Sequence, residues 1–280
     1  MKEVICLANL KLLAEKAVQT RIAILQMIYQ GKGGHIGGAL SCTDILVTLY
    51  YTVMRIDPKN PGWEGRDRFV LSKGHSVEGL YAILADLGFI PRAELDSYRG
   101  FGSRLIGHPS NKVPGIEVNT GALGHGLSVG VGMALAGKMD QKDHKVYVLM
   151  GDGELAEGSV WEAAMAGSHY KLDNLIGIVD RNRLQIGGST EDVMALEDLK
   201  AKWQAFGWEA LEVDGHDFNS LVELAKLPIV PGKPHMIIAN TIKGKGISFM
   251  ENEVGWHHRV PNEEEYAQAL QELELRMGAF

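Results

Sequence analysis

The stretch Gly151–Gly188, GDGELAEGSVWEAAMAGSHYKLDNLIGIVDRNRLQIGG, decides the fold and points to the chemistry. It opens with Gly151-Asp152-Gly153 directly after Lys145–Met150 (KVYVLM), a run with the length and apolar character of a buried strand. It continues through a second apolar run, Leu175–Val179, into Asp180-Arg181-Asn182. A strand that delivers Gly-Asp-Gly into a helix start suits phosphate and metal. Asp152 and Asn182 each offer a hard oxygen, the kind Mg2+ or Ca2+ takes when it holds a diphosphate. Gly153 lets a phosphate approach the backbone, beside the free N–H groups of the helix start. A plainer role stands next to each: Asp152 is also a good helix N-cap, and Asn182 a good turn residue.

On either side the pattern is regular. Helix 157–170, strand 175–180, helix 196–206, strand 209–213, helix 218–226 and strand 235–241 follow the first strand. Strands alternating with helices predict an α/β fold, a mostly parallel sheet with helices on both faces. Ligands of such sheets bind beyond the carboxyl ends of the strands, and Asp152, Asn182 and Lys243 all follow strand ends. Upstream, Asn9–Gln30 reads as a long amphipathic helix ending at Gly31. Ser41–Met54 reads as a second helix with Ser41 or Thr43 as cap, Arg68–Leu71 as a strand, and Glu78–Leu87 and Ser128–Met139 as helices. Pro91–Gly126 is a long irregular region of the kind that is usually functional or disordered. Glu263–Met277 is a charged terminal helix. Residues 1–280 are expected to form one domain.

Composition narrows the function. The chain has 280 residues, 45% of them apolar, which is enough for a full core. A formal charge of −7 without a basic cluster argues against a nucleic-acid binder. Two cysteines, Cys6 and Cys42, make neither a disulfide framework nor a metal site, so a reduced cytoplasmic setting is expected. The N-terminus lacks the form of a signal peptide, and no apolar run of about 18 residues predicts a membrane span. A dinucleotide site is disfavoured, since no Gly-x-Gly-x-x-Gly follows the first strand. Ten histidines are many for this length. His35, His75, His108 and His257 sit in loops flanked by Gly, Pro or an aromatic residue, where an imidazole can exchange protons near neutral pH or bind hydroxyls.

The stretch from Gly151 to Asn182 resembles the thiamin diphosphate motif, and the chain from roughly Ala17 to Pro261 resembles the amino-terminal domain of transketolase. The resemblance includes Gly34-His35-Ile36-Gly37-Gly38, Ser72-Lys73-Gly74-His75, Gly107-His108-Pro109, Thr120–Gly126, Lys243-Gly244-Lys245-Gly246 and Trp256-His257. It implies a thiamin diphosphate-binding fold that holds the diphosphate through Mg2+, with Ca2+ or Mn2+ able to take its place. Asp152, Asn182 and the Leu184 carbonyl would hold the metal. His75, Gly153, Asn182 and His257 would lie at the diphosphate or reactive carbon, and Gly121 and Leu123 against the aminopyrimidine. His35 and His108 would contact the sugar hydroxyls. Glu157 would be either an ordinary first-turn acid or the family's glutamate at the interface between subunits, beside the cofactor. His258 stands where the family usually has Gly, and His125 where many members have Gln. Lys243 would serve a phosphate, an interface or closure of the substrate funnel.

The implied activity is transfer of a two-carbon unit from a ketose phosphate to an aldose phosphate. The family's catalytic Glu belongs to a pyrimidine-binding domain that would follow this one. The expectation is therefore a split enzyme, with that domain and the carboxyl-terminal domain on a partner chain and two copies of each chain. The alpha subunit of an oxo-acid dehydrogenase, a 1-deoxyxylulose-5-phosphate synthase relative, a transketolase for an unusual sugar such as a sulfonated one, and a non-catalytic relative are the alternatives.

Overall fold

The structure, a computed structural model, describes residues 2–224 and 230–278, with side chains from Leu10 onward. In chain order the elements are α1 (Lys2–Gly31), α2 (Ile36–Ser41), α3 (Thr43–Thr48), β1 (Arg68–Leu71), α4 (Val77–Leu87), α5 (Gly126–Met139), β2 (Val146–Gly151), α6 (Gly158–His169), β3 (Leu175–Arg181), β4 (Leu184–Gln185), β5 (Gly188–Ser189), α7 (Thr190–Val193), α8 (Leu199–Ala205), β6 (Glu209–Asp214), α9 (Phe218–Glu223), β7 (His235–Asn240) and α10 (Glu263–Met277). Five strands form one parallel sheet in the order β1-β2-β3-β7-β6, and β4 and β5 make a small antiparallel hairpin.

The strand residues alternate between two cores, as the pleat requires. Phe69, Leu71, Tyr147, Leu149, Ile178 and Ile237 pack with apolar residues of α1, α3 and α4. Val70, Val148, Met150, Val179, Met236 and Ile238 pack with those of α5, α6 and α8. The expected helices on both faces are therefore present. A third cluster joins α1 and α2 to Ala269 and Leu273 of α10, with Ile247, Met250 and Trp256 between them. It anchors the segment that follows β7. A capping box starts α10: Asn262 Oδ1 accepts from Glu265 N at 2.9 Å, and Glu265 accepts from Asn262 N at 2.9 Å. Among the described residues no helix is long and apolar enough to cross a membrane.

The expected helix over Ser41–Met54 is corrected. The chain instead makes α2, breaks at Cys42 (φ −88°, ψ 3°), makes α3 and ends in a wider π-turn over Leu49–Val53. Neither expected cap works as one. Thr43 Oγ1 donates back to the Ala39 carbonyl, and Ser41 Oγ is drawn to Asp180, 2.6 Å away. The helix expected over 196–206 starts later, at Leu199, because Asp198 caps it through Ala201 N. Residues 225–226 of the helix expected over 218–226 lie outside the described residues.

The register aligns the strand exits. Leu71 pairs with Leu149, Gly151 with Asp180, and Arg181 with Asn240. The segments after β1, β2, β3 and β7 therefore leave the sheet side by side at its carboxyl edge.

Candidate active site

These exits surround a cavity of about 340 Å³. Lys73 and His75 come from the exit of β1, Gly151–Glu154 from β2, Asn182 and Leu184–Ile186 from β3, and Lys243 from β7. The loop before α2 adds His35 and Gly38. The long irregular region adds His108, Gly121 and Leu123, and the turn after Val254–Trp256 adds His257. His35, His75, His108, His257, Gly121, Leu123, Asp152, Gly153, Asn182 and Leu184, scattered over more than 220 positions of sequence, line this one space.

Glu157 does not. Residues Gly153–Ala156 form a 3-10 turn, so α6 begins only at Gly158 and Glu157 stays exposed at its N-cap, packed against Gly124. The carboxylate in the lining is Glu154, which is buried and accepts from Gly124 N (2.9 Å), Gly151 N (3.1 Å) and Ser72 Oγ. It ties the Gly121–Gly126 loop to the ends of β1 and β2.

Asp152 is 2% exposed. Its Oδ1 accepts from Gly153 N at 2.8 Å, so it does cap the 3-10 turn. Its Oδ2 accepts from Arg183 N at 2.5 Å and faces Arg181 at 3.3 Å. Burial, then the charge of Asp180, still hold its carboxyl above the ordinary range despite these donors. The residue can therefore accommodate further positive charge. Asn182 Oδ1 accepts from Leu184 N at 3.1 Å, and the Leu184 carbonyl accepts from Lys243 Nζ at 3.2 Å, each oxygen keeping a lone pair. Among the described residues no three His, Cys, Asp or Glu side chains are grouped to hold a metal. A divalent cation here would rest on one carboxylate, one amide, one carbonyl and the oxygens of its ligand, which suits a hard ion such as Mg2+. Glycine supplies the rest of the cradle. Gly121 sits at φ +152°, and a Cβ there would meet the His108 ring at 3.0 Å. The donor set and the bare glycine walls fit a metal-bound diphosphate.

Beneath the cavity lies a buried pair. Lys73 Nζ donates to Asp180 and, at 3.0 Å, to the Gly38 carbonyl. Asp180 also accepts from Ser41 and Thr241. Burial works to lower the pKa of Lys73, but Asp180 outweighs it and keeps the ammonium charged. Lys243, buried and repelled by Lys73, is brought down to about 8, with Nζ 2.9 Å from His257 Nδ1.

The histidines gather around His35. Its ring centroid lies 5.0 Å from His75, 5.6 Å from His257, 6.1 Å from His108 and 4.6 Å from His258. Burial, followed by Lys73, lowers His75 to about 2. Burial and Lys243 bring His257 to about 3, and burial and His258 bring His35 to about 4. All three are neutral at pH 7, so each can accept a proton or a hydrogen bond. His35 Nδ1 is buried and has no partner. His258 is exposed and lies outside the lining, although its ring touches the cluster. His125, exposed, bonds only the carbonyl of Leu123 in its own loop, at 2.9 Å.

Sequence reasoning missed Glu154, Gln185 and Ile186 as lining residues and assigned Lys73 no role. Lys73 lies in a motif visible in the sequence. Its burial against Asp180, 107 positions away, does not show there.

Comparison with known proteins agrees with this geometry. The transketolase thiamine diphosphate binding domain family matches residues 13–278. One of the two subunits named for apulose-4-phosphate transketolase in Phocaeicola vulgatus is 54% identical over 270 residues, covering 96% of this chain and 95% of its own. The 6-deoxy-6-sulfo-D-fructose transketolase subunit SqwG of a Clostridium species is 47% identical over 245 residues, covering 86% and 88%. The crystal structure of Campylobacter jejuni transketolase superposes with a TM-score of 0.89 at 34% identity. It covers 94% of this chain, which in turn spans only 43% of that longer one.

Proposed function

The chain belongs to the transketolase family, as its thiamine diphosphate binding domain, and from that premise we propose that it is the diphosphate- and metal-holding subunit of a two-chain transketolase. The observation that carries the reading is the meeting, in one cavity, of Asp152, Asn182 and the Leu184 carbonyl with four histidines, three of them held neutral. When bound, thiamine diphosphate supplies the carbanion stabilisation that two-carbon transfer from a ketose phosphate to an aldose phosphate needs.

The residues of this chain have separate tasks. Asp152, Asn182 and Leu184 hold Mg2+. Gly153, His75 and His257 receive the diphosphate side, and Gly121 and Leu123 form the wall for the pyrimidine ring. His35 and His108 hydrogen-bond the sugar, and a neutral imidazole accepts the proton of the substrate hydroxyl. Glu157, exposed at the head of α6, is assigned to the contact between subunits. Relatives named as separate transketolase subunits match nearly end to end, which supports a partner carrying the remaining catalytic domains, two copies of each chain forming the enzyme. The same relatives act on apulose-4-phosphate or sulfofructose by name, which favours an unusual sugar over a common pentose phosphate. The buried, unpaired Cys42 supports a cytoplasmic setting.

Titrating thiamine diphosphate and Mg2+ calorimetrically into this chain tests the reading, first by itself and then with the partner chain that carries the pyrimidine-binding and carboxyl-terminal domains. Tight binding is expected only in the mixture, together with two-carbon transfer between sugar phosphates. Asp152→Ala should weaken that binding about 10- to 100-fold. Tight binding unaffected by Asp152→Ala would overturn the metal assignment, and binding without any sugar transfer would overturn the activity.

A further inference from the structure

Helix α4 and the turn that leads into it bear on three of the cavity's histidines from one face. His75 lies in the turn Gly74–Ser76, Glu78 three residues on, and Tyr81 three further, a spacing that stacks side chains on one side of a helix. His75 lines the cavity itself. Tyr81 hydroxyl reaches the carbonyls of Ile106 and His108, each at 3.0 Å, and so holds the segment that carries His108. Glu78 reaches the third histidine. Its Oε1 accepts from the backbone N–H of His35 at 3.2 Å and from the Tyr98 hydroxyl at 2.6 Å.

Glu78 is wholly buried, an expensive position for a carboxyl group. Its Oε2 has no hydrogen-bond partner. The neighbouring chain makes room for it: Gly34 takes φ +151°, and a Cβ there would collide with Glu78 Oε1. Burial pushes the carboxyl up to about 7, opposed by Tyr98, by the His35 N–H and by Arg99. A group kept at such a site against the apolar alternative is there for what it holds. What it holds is the first turn after Gly34, from which the His35 ring projects into the cavity with its Nδ1 free.

We infer that Glu78 is the positioning residue for His35: with Tyr98 as its clamp, it fixes the imidazole that faces the substrate. This rests on the proposed two-carbon transfer for its kinetic consequences, but not for its structural one. In the assembled holoenzyme, Glu78→Ala is expected to lower kcat by on the order of 10²-fold, the scale of a displaced reacting group. The KM of the cofactor stays as it was. Glu78→Gln, which keeps an acceptor oxygen for the His35 N–H, should restore most of the loss. In the full chain, the His35 ring signals in histidine NMR spectra should move in Glu78→Ala.

An unmoved His35 signal overturns the proposal, as does a Gln variant damaged as badly as the Ala variant. Should Glu78→Ala fail to fold, Tyr98→Phe removes the clamp and must move the same signal, or the proposal falls. A moved signal in an assembly that transfers no two-carbon unit refutes the enzymatic reading alone and leaves the role of Glu78 standing.

Discussion

Two ammonium groups share the cavity with the histidines, and that combination sets how the site responds to acid. Lys73 is held charged by Asp180, and Lys243 lies against His257. A proton added to His75 or His257 would meet these charges in a buried space, so both imidazoles stay neutral far below the ordinary value of 6.5. In the unfolded chain they titrate normally. The unfolded state therefore binds more protons below that value, and the stability these residues contribute is present above 6.5 and lost as the pH falls. Glu78, raised from 4.5 to about 7, works with the opposite sign, contributing stability that is lost as pH rises through that window. A comparison separates the two. The stability of the wild type relative to His75→Gln, measured by urea unfolding, should shrink steadily between pH 6.5 and pH 4. A constant difference would mean that His75 is not held neutral. The sequence marks His75 by its neighbours, but its depressed pKa comes from burial and from Lys73, neither of which is a property of the local sequence.

At the scale of the element, short turns do the placing. The 3-10 turn Gly153–Ala156 delays α6 by one turn, which puts Glu154 inside and Glu157 outside. Helical periodicity alone does not show this, because a 3-10 turn and a helical turn share their first residues. The break at Cys42 is hidden for a related reason. Ser41 and Thr43 look like caps, but the tertiary fold draws Ser41 to Asp180, 139 positions away. The long helix α1, the strands flanking Gly151–Gly153 and the capped α10 are legible, since each carries its own apolar period or its own cap. The turn at Gly34 offers a direct test. Its φ is positive, and an added methyl would collide with Glu78 and lie 2.6 Å from Ile28 Cγ1, which leaves no space for a side chain. Gly34→Ala should destabilise the protein by about 1–3 kcal/mol, read from denaturant unfolding, and should weaken the grip on His35. An unchanged midpoint would show that the turn relaxes freely.

Across the whole molecule, the sheet brings the site together and Lys73–Asp180 joins the strands under it. The pair links the exit of β1 to the end of β3, and Asp180 extends it to α2 and to Thr241 after β7. Lys73→Met should cost about 3–5 kcal/mol, because it leaves a buried carboxylate unpaired. The double variant Lys73→Met/Asp180→Asn should recover much of that in urea unfolding. Equal losses in the single and double variants would mean that the two residues are not energetically coupled.

The sequence by itself determined the parallel α/β fold, the cofactor family, and ten of the eleven candidate residues that the fold could bring to one cavity. These follow from local signals: apolar runs of strand length, Gly-Asp-Gly at a strand end, and histidines set among glycines and prolines. Only the tertiary structure decided that Glu154 rather than Glu157 lines the cavity, that burial with Lys73 and Lys243 keeps the histidines neutral, and that Glu78 reaches His35. Each of those depends on distances between residues tens of positions apart, and on the loss of water around them. Both arise only when the strands align in register and bring their carboxyl ends to one edge.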